Sequence, residues 1–168
     1  GLGIGALIHP RHFTEGYDKL RARLDDVKLR AEIRREMETT EGWENWFRHS
    51  SKDWNRVIIG RSNNEKYAGL DGQSVAAIAA AKGEDSWDTF FNLVRSSAFA
   101  LPETMTDANK ILAMQQEFVS FCTDVGPAGG SRSASHPRAF GSFPRMLSRY
   151  VRELGAISLE RATAQASA

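Results

Sequence analysis

Residues 118–150 constrain this chain more than any other stretch. An apolar run, Phe118-Val-Ser-Phe-Cys122, stops at Thr123-Asp124, passes through a Gly/Ser-rich segment at 126–135, and continues as His136-Pro-Arg138 into an amphipathic stretch ending near Leu154. Five consecutive aromatic, β-branched and small residues read as a short strand. The periodic Ile111, Leu112 and Met114 before it read as a helix opened by Pro102, Thr106 and Asp107. The order helix, strand, carboxylate, loop, helix is that of an α/β domain, in which ligands lie beyond the ends of buried strands. The segment therefore marks a candidate site.

Upstream, helical spacing places Tyr17, Leu20 and Leu24 on one face. Asp25-Asp26 can cap a second helix carrying Val27, Ala31, Ile33 and Met37. Opposite charges alternate through both, as on a solvated surface. Trp43, Trp46, Phe47 and Trp54 read as a satellite core rather than a ligand pocket, and Val57-Ile-Ile59 as a brief strand ended by Gly60. An Ala-rich helix over 73–82 stops at Gly83, and Asp85 or Ser86 opens another through Trp87, Phe90, Phe91 and Val94. The last full helix is expected over Phe143–Leu154, with Pro144 in its first turn, Gly155 closing it and Ser158 capping a further helix.

A net charge of +1 without long runs of one sign lacks the footprint of a nucleic-acid binder. Cys122, the single cysteine, cannot form an internal disulfide, which favours a reducing compartment such as the cytoplasm. The apolar first eight residues are too short for a membrane span and have no basic flank. The chain has no initiator methionine, opens inside an apolar Gly-rich run and ends without a helix stop signal, so it is expected to be part of a longer protein.

Asp124, at the end of the expected strand, can bind a metal, orient a water or carry a proton; it can equally cap its own loop. Arg138 has the planar fork that grips a carboxylate, or it is a helix-end arginine. His136 is a ligand or a loop anchor. His9 and His12 have helical spacing but straddle Pro10, and His49 sits in a polar tract. Cys122 within a strand would behave as a small buried hydrophobe. Nucleophile-elbow, phosphate-loop, dinucleotide and His-Glu-x-x-His motifs are all missing.

At Thr123-Asp124-x-Gly126, at His136-Pro-Arg-Ala-Phe-Gly-Ser-Phe-Pro-Arg-Met-Leu-Ser-Arg-Tyr-Val-Arg152 and at the trailing Ile157-Ser-Leu-Glu160, the sequence resembles the N-acyl-D-amino-acid deacylases, or D-aminoacylases, of the metal-dependent amidohydrolase superfamily. Ala6–Pro10, the helices of Leu20–Ile33, Trp54–Ile59, Gly72–Gly83 and Asp88–Leu93 resemble that family's excursion before its last strand less tightly. The family commonly reads Ser-Asp-Gly where this chain reads Thr-Asp-Val-Gly.

The resemblance implies an α/β fold, the C-terminal fragment of a (β/α)₈ TIM barrel, predominantly helical with one or two short strands; whole barrels need roughly 250 residues. Residues 1–117 would form an inserted lid-like region, and 118–168 the last strand, the active-site loop and the following helices. It further implies zinc, held mostly by residues outside this chain. Asp124 would contact the metal, activate the attacking water and pass its proton to the leaving nitrogen, while Arg138, with His136 nearby, would bind the substrate's α-carboxylate. The implied substrate is a small N-acyl-D-amino acid. Two alternatives are a cyclic-amide hydrolase of the hydantoinase or dihydropyrimidinase type and a catalytically incompetent fragment.

Overall fold

The computed structural model describes residues 1–39, 41–125 and 138–167, which divide into two compact units, Gly1–Thr104 and Met105–Ala168. The division falls ahead of the expected boundary at 117/118, so the helix opened by Thr106 packs with the C-terminal unit.

Unit 1 is built on a three-stranded antiparallel sheet of β1 (Leu2–Gly3), β2 (Val57–Arg61) and β3 (Phe99–Pro102), in the order β1-β3-β2. Leu2 pairs with Ala100 on one side of β3, and Ile59 pairs with Ala100 on the other. The β2 register slips between Ile59 and Arg61, at the glycine expected to end the strand. A Cβ at Gly60 would lie 2.8 Å from the Phe99 ring, so a side chain there would push the central strand away. The expectation of one or two strands undercounts this sheet, because β1 and β3 are very short and are held by partners distant in sequence.

Around the sheet lie α1 (Tyr17–Arg23), α2 (Val27–Thr39), α3 (Trp46–His49), α4 (Val75–Lys82) and α5 (Ser86–Arg95). Their starts follow local chemistry. The carboxylate of Asp26 accepts from the Lys28 amide at 2.8 Å, Ser74 from Ala77 at 3.1 Å, and Asp85 from Trp87 at 2.8 Å. Helix α5 turns Trp87, Phe90, Phe91 and Val94 inward, as the 3.6-residue period requires. There they join Phe47 and Trp54, whose centroids are 4.2 Å apart, with Trp54 edge-on to Trp87 at 4.9 Å. The tryptophans are thus part of the main core rather than a satellite: Trp54 and Trp87 are buried in it, and Trp43 and Trp46 pack against it.

Unit 2 contains α6 (Asp107–Met114), α7 (Arg138–Arg145), a π-helical continuation over Met146–Glu153, and α8 (Leu159–Ser167). Thr106 caps α6 and Ser158 caps α8. The strand expected over 118–122 is not formed; the segment from Gln115 to Val125 is turns and irregular backbone. Residues of β type make a strand only beside a ladder partner that takes their N–H and C=O groups. No strand among the described residues lies alongside this run. Its tie is instead the Phe121 amide, donated to the Gln165 carbonyl of α8 at 2.8 Å, and Phe118 stays 85% exposed.

The final helix begins at Arg138 rather than Phe143, which leaves Pro144 inside it. Proline has no N–H to offer the preceding turn and crowds its carbonyl, and the wider π turns follow directly after it. The Leu154 amide reaches back five residues to the Arg149 carbonyl at 2.9 Å. Gly155 then adopts φ +57°, and the Ala156 amide bonds the Tyr150 carbonyl at 2.8 Å, sealing the end. No described helix is long and apolar enough to cross a membrane.

Candidate active site

Unit 2 holds both described residues of the expected site. Asp124 closes the irregular segment with φ +47°, a left-handed conformation that a short polar side chain tolerates. Its amide faces Cys122 Sγ at 3.3 Å, and its carboxylate is about 90% exposed. Arg138 opens α7 and reaches back to it. Arg138 Nη2 donates to the Asp124 carbonyl at 2.6 Å and stands 3.5 Å from Oδ2. A bond to the carbonyl holds the backbone turn in place while the carboxylate stays open to solvent. His136 lies outside the described residues.

Behind Arg138 is a cavity of about 470 Å³. Met114, Phe121 and Met146 supply apolar wall, Tyr150 an aromatic one, and the cations Lys110, Arg138 and Arg145 its charge. Asp107 organises one side. It pairs with Lys110 at 2.6 Å and with Arg149 at 2.9 Å, and it accepts from the Tyr150 hydroxyl at 3.0 Å. Donation from Lys110, then Arg149, then Tyr150, holds its carboxyl far below the ordinary range, so it stays ionised.

Local sequence signals mark Asp107 only as a helix start, and the clasp that it forms with Lys110, Arg149 and Tyr150 lies beyond them. The spacing of Arg138 and Arg145, seven apart on one helix face, is a signal for the cavity, but a helix start placed at Phe143 conceals it.

The other candidates lie apart from this site. His9 caps a 3₁₀ turn, Pro10–Phe13, by accepting from the Arg11 amide at 3.1 Å. His12 meets Glu36 at 2.6 Å, and Arg11 pairs with both Glu36 and Glu32. Those contacts pin the turn to α2. His49 is exposed and contacts Trp46 edge-on. Cys122 is exposed, not buried, because the segment carrying it is not a sheet strand.

Zinc prefers four donors, or three with a water. Among the described residues no group of three or more His, Cys, Asp or Glu could hold a metal. Asp124 and Cys122 alone are too few donors, so the described part of this chain does not fit zinc by itself.

Two known proteins resemble this chain over part of its length. The chain is 37% identical over 98 residues to an N-acyl-D-glutamate deacylase from Alcaligenes xylosoxydans xylosoxydans, covering 58% of this chain and 19% of that protein. It is 32% identical over 94 residues to a D-aminoacylase from the same organism, covering 55% of this chain and 18% of that protein. Over these stretches the chain is similar to N-acyl-D-amino-acid deacylases. It spans about a fifth of the length of these curated deacylases. No family model and no solved structure matches it.

Proposed function

We propose that this chain supplies a proton-carrying carboxylate and a substrate anchor to a hydrolase that cleaves N-acyl-D-amino acids, adding water across the amide to give a carboxylate and a D-amino acid. The observation that carries this reading is the pairing of Asp124 with Arg138 across the 126–137 segment, with the carboxylate still exposed. An ionised carboxylate can take a proton from water as the water attacks and return it to the departing nitrogen. A guanidinium beside it can hold the substrate's own carboxylate through paired charged hydrogen bonds, which fixes the amide near Asp124. The deacylase relatives support the same chemistry.

In this reading the chain is the C-terminal part of a (β/α)₈ enzyme, with unit 1 as an inserted excursion before the active-site segment. Zinc belongs to the reading only as an ion whose donors come mostly from outside the described residues. The roles given to Asp124 and Arg138 are argued without it.

The test is turnover of N-acetyl-D-leucine and N-acetyl-D-glutamate, against their L-forms and dihydrouracil, by the complete polypeptide that carries this chain. Asp124→Asn is expected to lower kcat by ~10²-fold or more. Arg138→Ala is expected to raise KM, at a cost of ~1.5–3 kcal/mol in charged hydrogen bonding. An Asp124→Asn variant with unchanged kcat removes the proposed role. Hydrolysis of dihydrouracil that is indifferent to Arg138→Ala would favour the cyclic-amide reading instead.

A further inference from the structure

We propose that the cavity of unit 2 is a binding site for a medium-chain alkanoate, with the head group on Arg145 and Arg138 and the chain across Met114, Phe121 and Met146. Its lining has two halves of opposite character. One half is apolar and includes two methionines, whose unbranched thioethers adapt to a flexible chain. The other presents three cations, and among the described residues no carboxylate lines the cavity.

The cations are not equally available. Lys110 is committed to Asp107 at 2.6 Å, and Arg138 already contacts Asp124. The Arg145 guanidinium has no ion-pair partner among the described residues. Arg138 and Arg145 lie at i and i+7 of α7, on one helix face, about 10 Å apart along the axis at ~1.5 Å per residue. Gly141 lies on the same face between them, and among the described residues a Cβ there would meet nothing within 4 Å. Both arginines line the same cavity as Met114, Phe121 and Met146, so an anion held by either one would have the apolar wall within the same cavity. A polar polyanion would leave that wall unfilled, and a plain hydrocarbon would desolvate arginines without pairing them. An anion with an apolar tail satisfies both halves, and the volume is that of an ordinary ligand pocket.

This inference does not rest on the deacylase reading. The two agree in one respect, since an alkanoate is one product of cleaving an acyl amide.

The experiment titrates decanoate, below its micellar range, into the full chain labelled at its methionine methyls. The Met114 and Met146 signals are expected to shift saturably, while Met37, in the core of unit 1, stays fixed. Arg145→Gln is expected to weaken binding ~10-fold, the size of one charged hydrogen bond. Decanol should bind at least ~10-fold more weakly than decanoate. Arg145 is exposed, so the substitution should leave unit 2 folded, checked by an unchanged Met146 signal without ligand. Should that signal move, the decanoate-to-decanol ratio in the unsubstituted chain decides alone. Absence of saturation, equal shifts at Met37, or equal affinity for decanol overturns the proposal.

Discussion

The two units handle apolar residues in opposite ways. Unit 1 buries a continuous cluster running from Ile4 through Phe90 to Ala100, and Val27 is its one exposed large hydrophobe among the described residues. Unit 2 has a small cluster of Met146, Ile157 and Ala162, and leaves Phe118, Phe140, Phe143, Leu147, Leu154 and others exposed. A well-satisfied core is what a scaffold needs. A unit with a thin core and much uncovered apolar surface has its packing supplied only in part by itself. The candidate chemistry, Asp124 and Arg138, sits in this second unit.

The largest test of the contrast is a pair of truncations. Phe90 is fully buried and touches Trp54, Trp87 and Phe91, so Phe90→Ala should cost about 3–5 kcal/mol. All four tryptophans lie in unit 1, so tryptophan emission during urea unfolding reads this loss directly. Met146→Ala should cost about 2 kcal/mol, at the low end for a buried methionine, because a cluster of three buried residues closes over a gap more easily. Its readout is the methyl signal of Met114, which packs against the same cluster. If Met146→Ala costs as much as Phe90→Ala, the difference between the cores is not real.

Acid offers a smaller contrast. In unit 1, burial pushes Glu36 up, but hydrogen bonds from His12 and Arg11 outweigh it and hold the carboxyl below its ordinary 4.5. A folded-state value below the unfolded one gives stability that is complete above pH 4.5 and is lost as pH falls through the folded value. Glu84 follows the same rule, with donors from Lys66, Tyr67 and Thr89 overcoming its burial. Asp107 in unit 2 is depressed much further. Between pH 4.5 and 3, tryptophan emission should therefore report loosening of unit 1 while the Asp107 clasp persists. Glu36→Gln should flatten the unit 1 response, and an acid midpoint unmoved by that change would show that this cluster does not govern it.

What could be read from the residues follows the same division. In unit 1 the spacing of Trp87, Phe90, Phe91 and Val94 and the caps Asp26, Ser74 and Asp85 are local signals, and the helices appear where those signals place them. Strand β3 was hidden because four residues ending in proline carry little pattern, and its pairing with Leu2 and Ile59 is non-local. In unit 2 the run at 118–122 has strand composition but lacks the neighbour that composition presumes. Pro144, ordinarily a first-turn residue, concealed a helix start at Arg138. The approach of Arg138 to Asp124 rests on where that helix begins. The Asp107 clasp joins residues some forty positions apart, which periodicity does not register.

The smallest comparison places the same defect in each unit. Gly83 ends α4 at φ +65°, and Gly155 ends the π-helical segment at φ +57°. At neither would a Cβ meet another atom within 4 Å, so alanine is opposed only by the left-handed backbone, which costs about 1 kcal/mol. Gly83→Ala and Gly155→Ala should therefore be equal in intrinsic cost and unequal in consequence. In unit 1 the strained cap abuts a helix whose Val75, Ile78 and Ala79 are buried, and hydrogen exchange across α4 should change little. In unit 2 it follows a segment whose buried residues are Met146 and Tyr150, with Val151 packed only in part, so exchange at the Leu154 and Ala156 amides should rise several-fold, as a loss of about 1 kcal/mol gives for local opening. Equal acceleration at both caps would mean that the thin cluster of unit 2 holds its helix ends as firmly as the full core of unit 1 does.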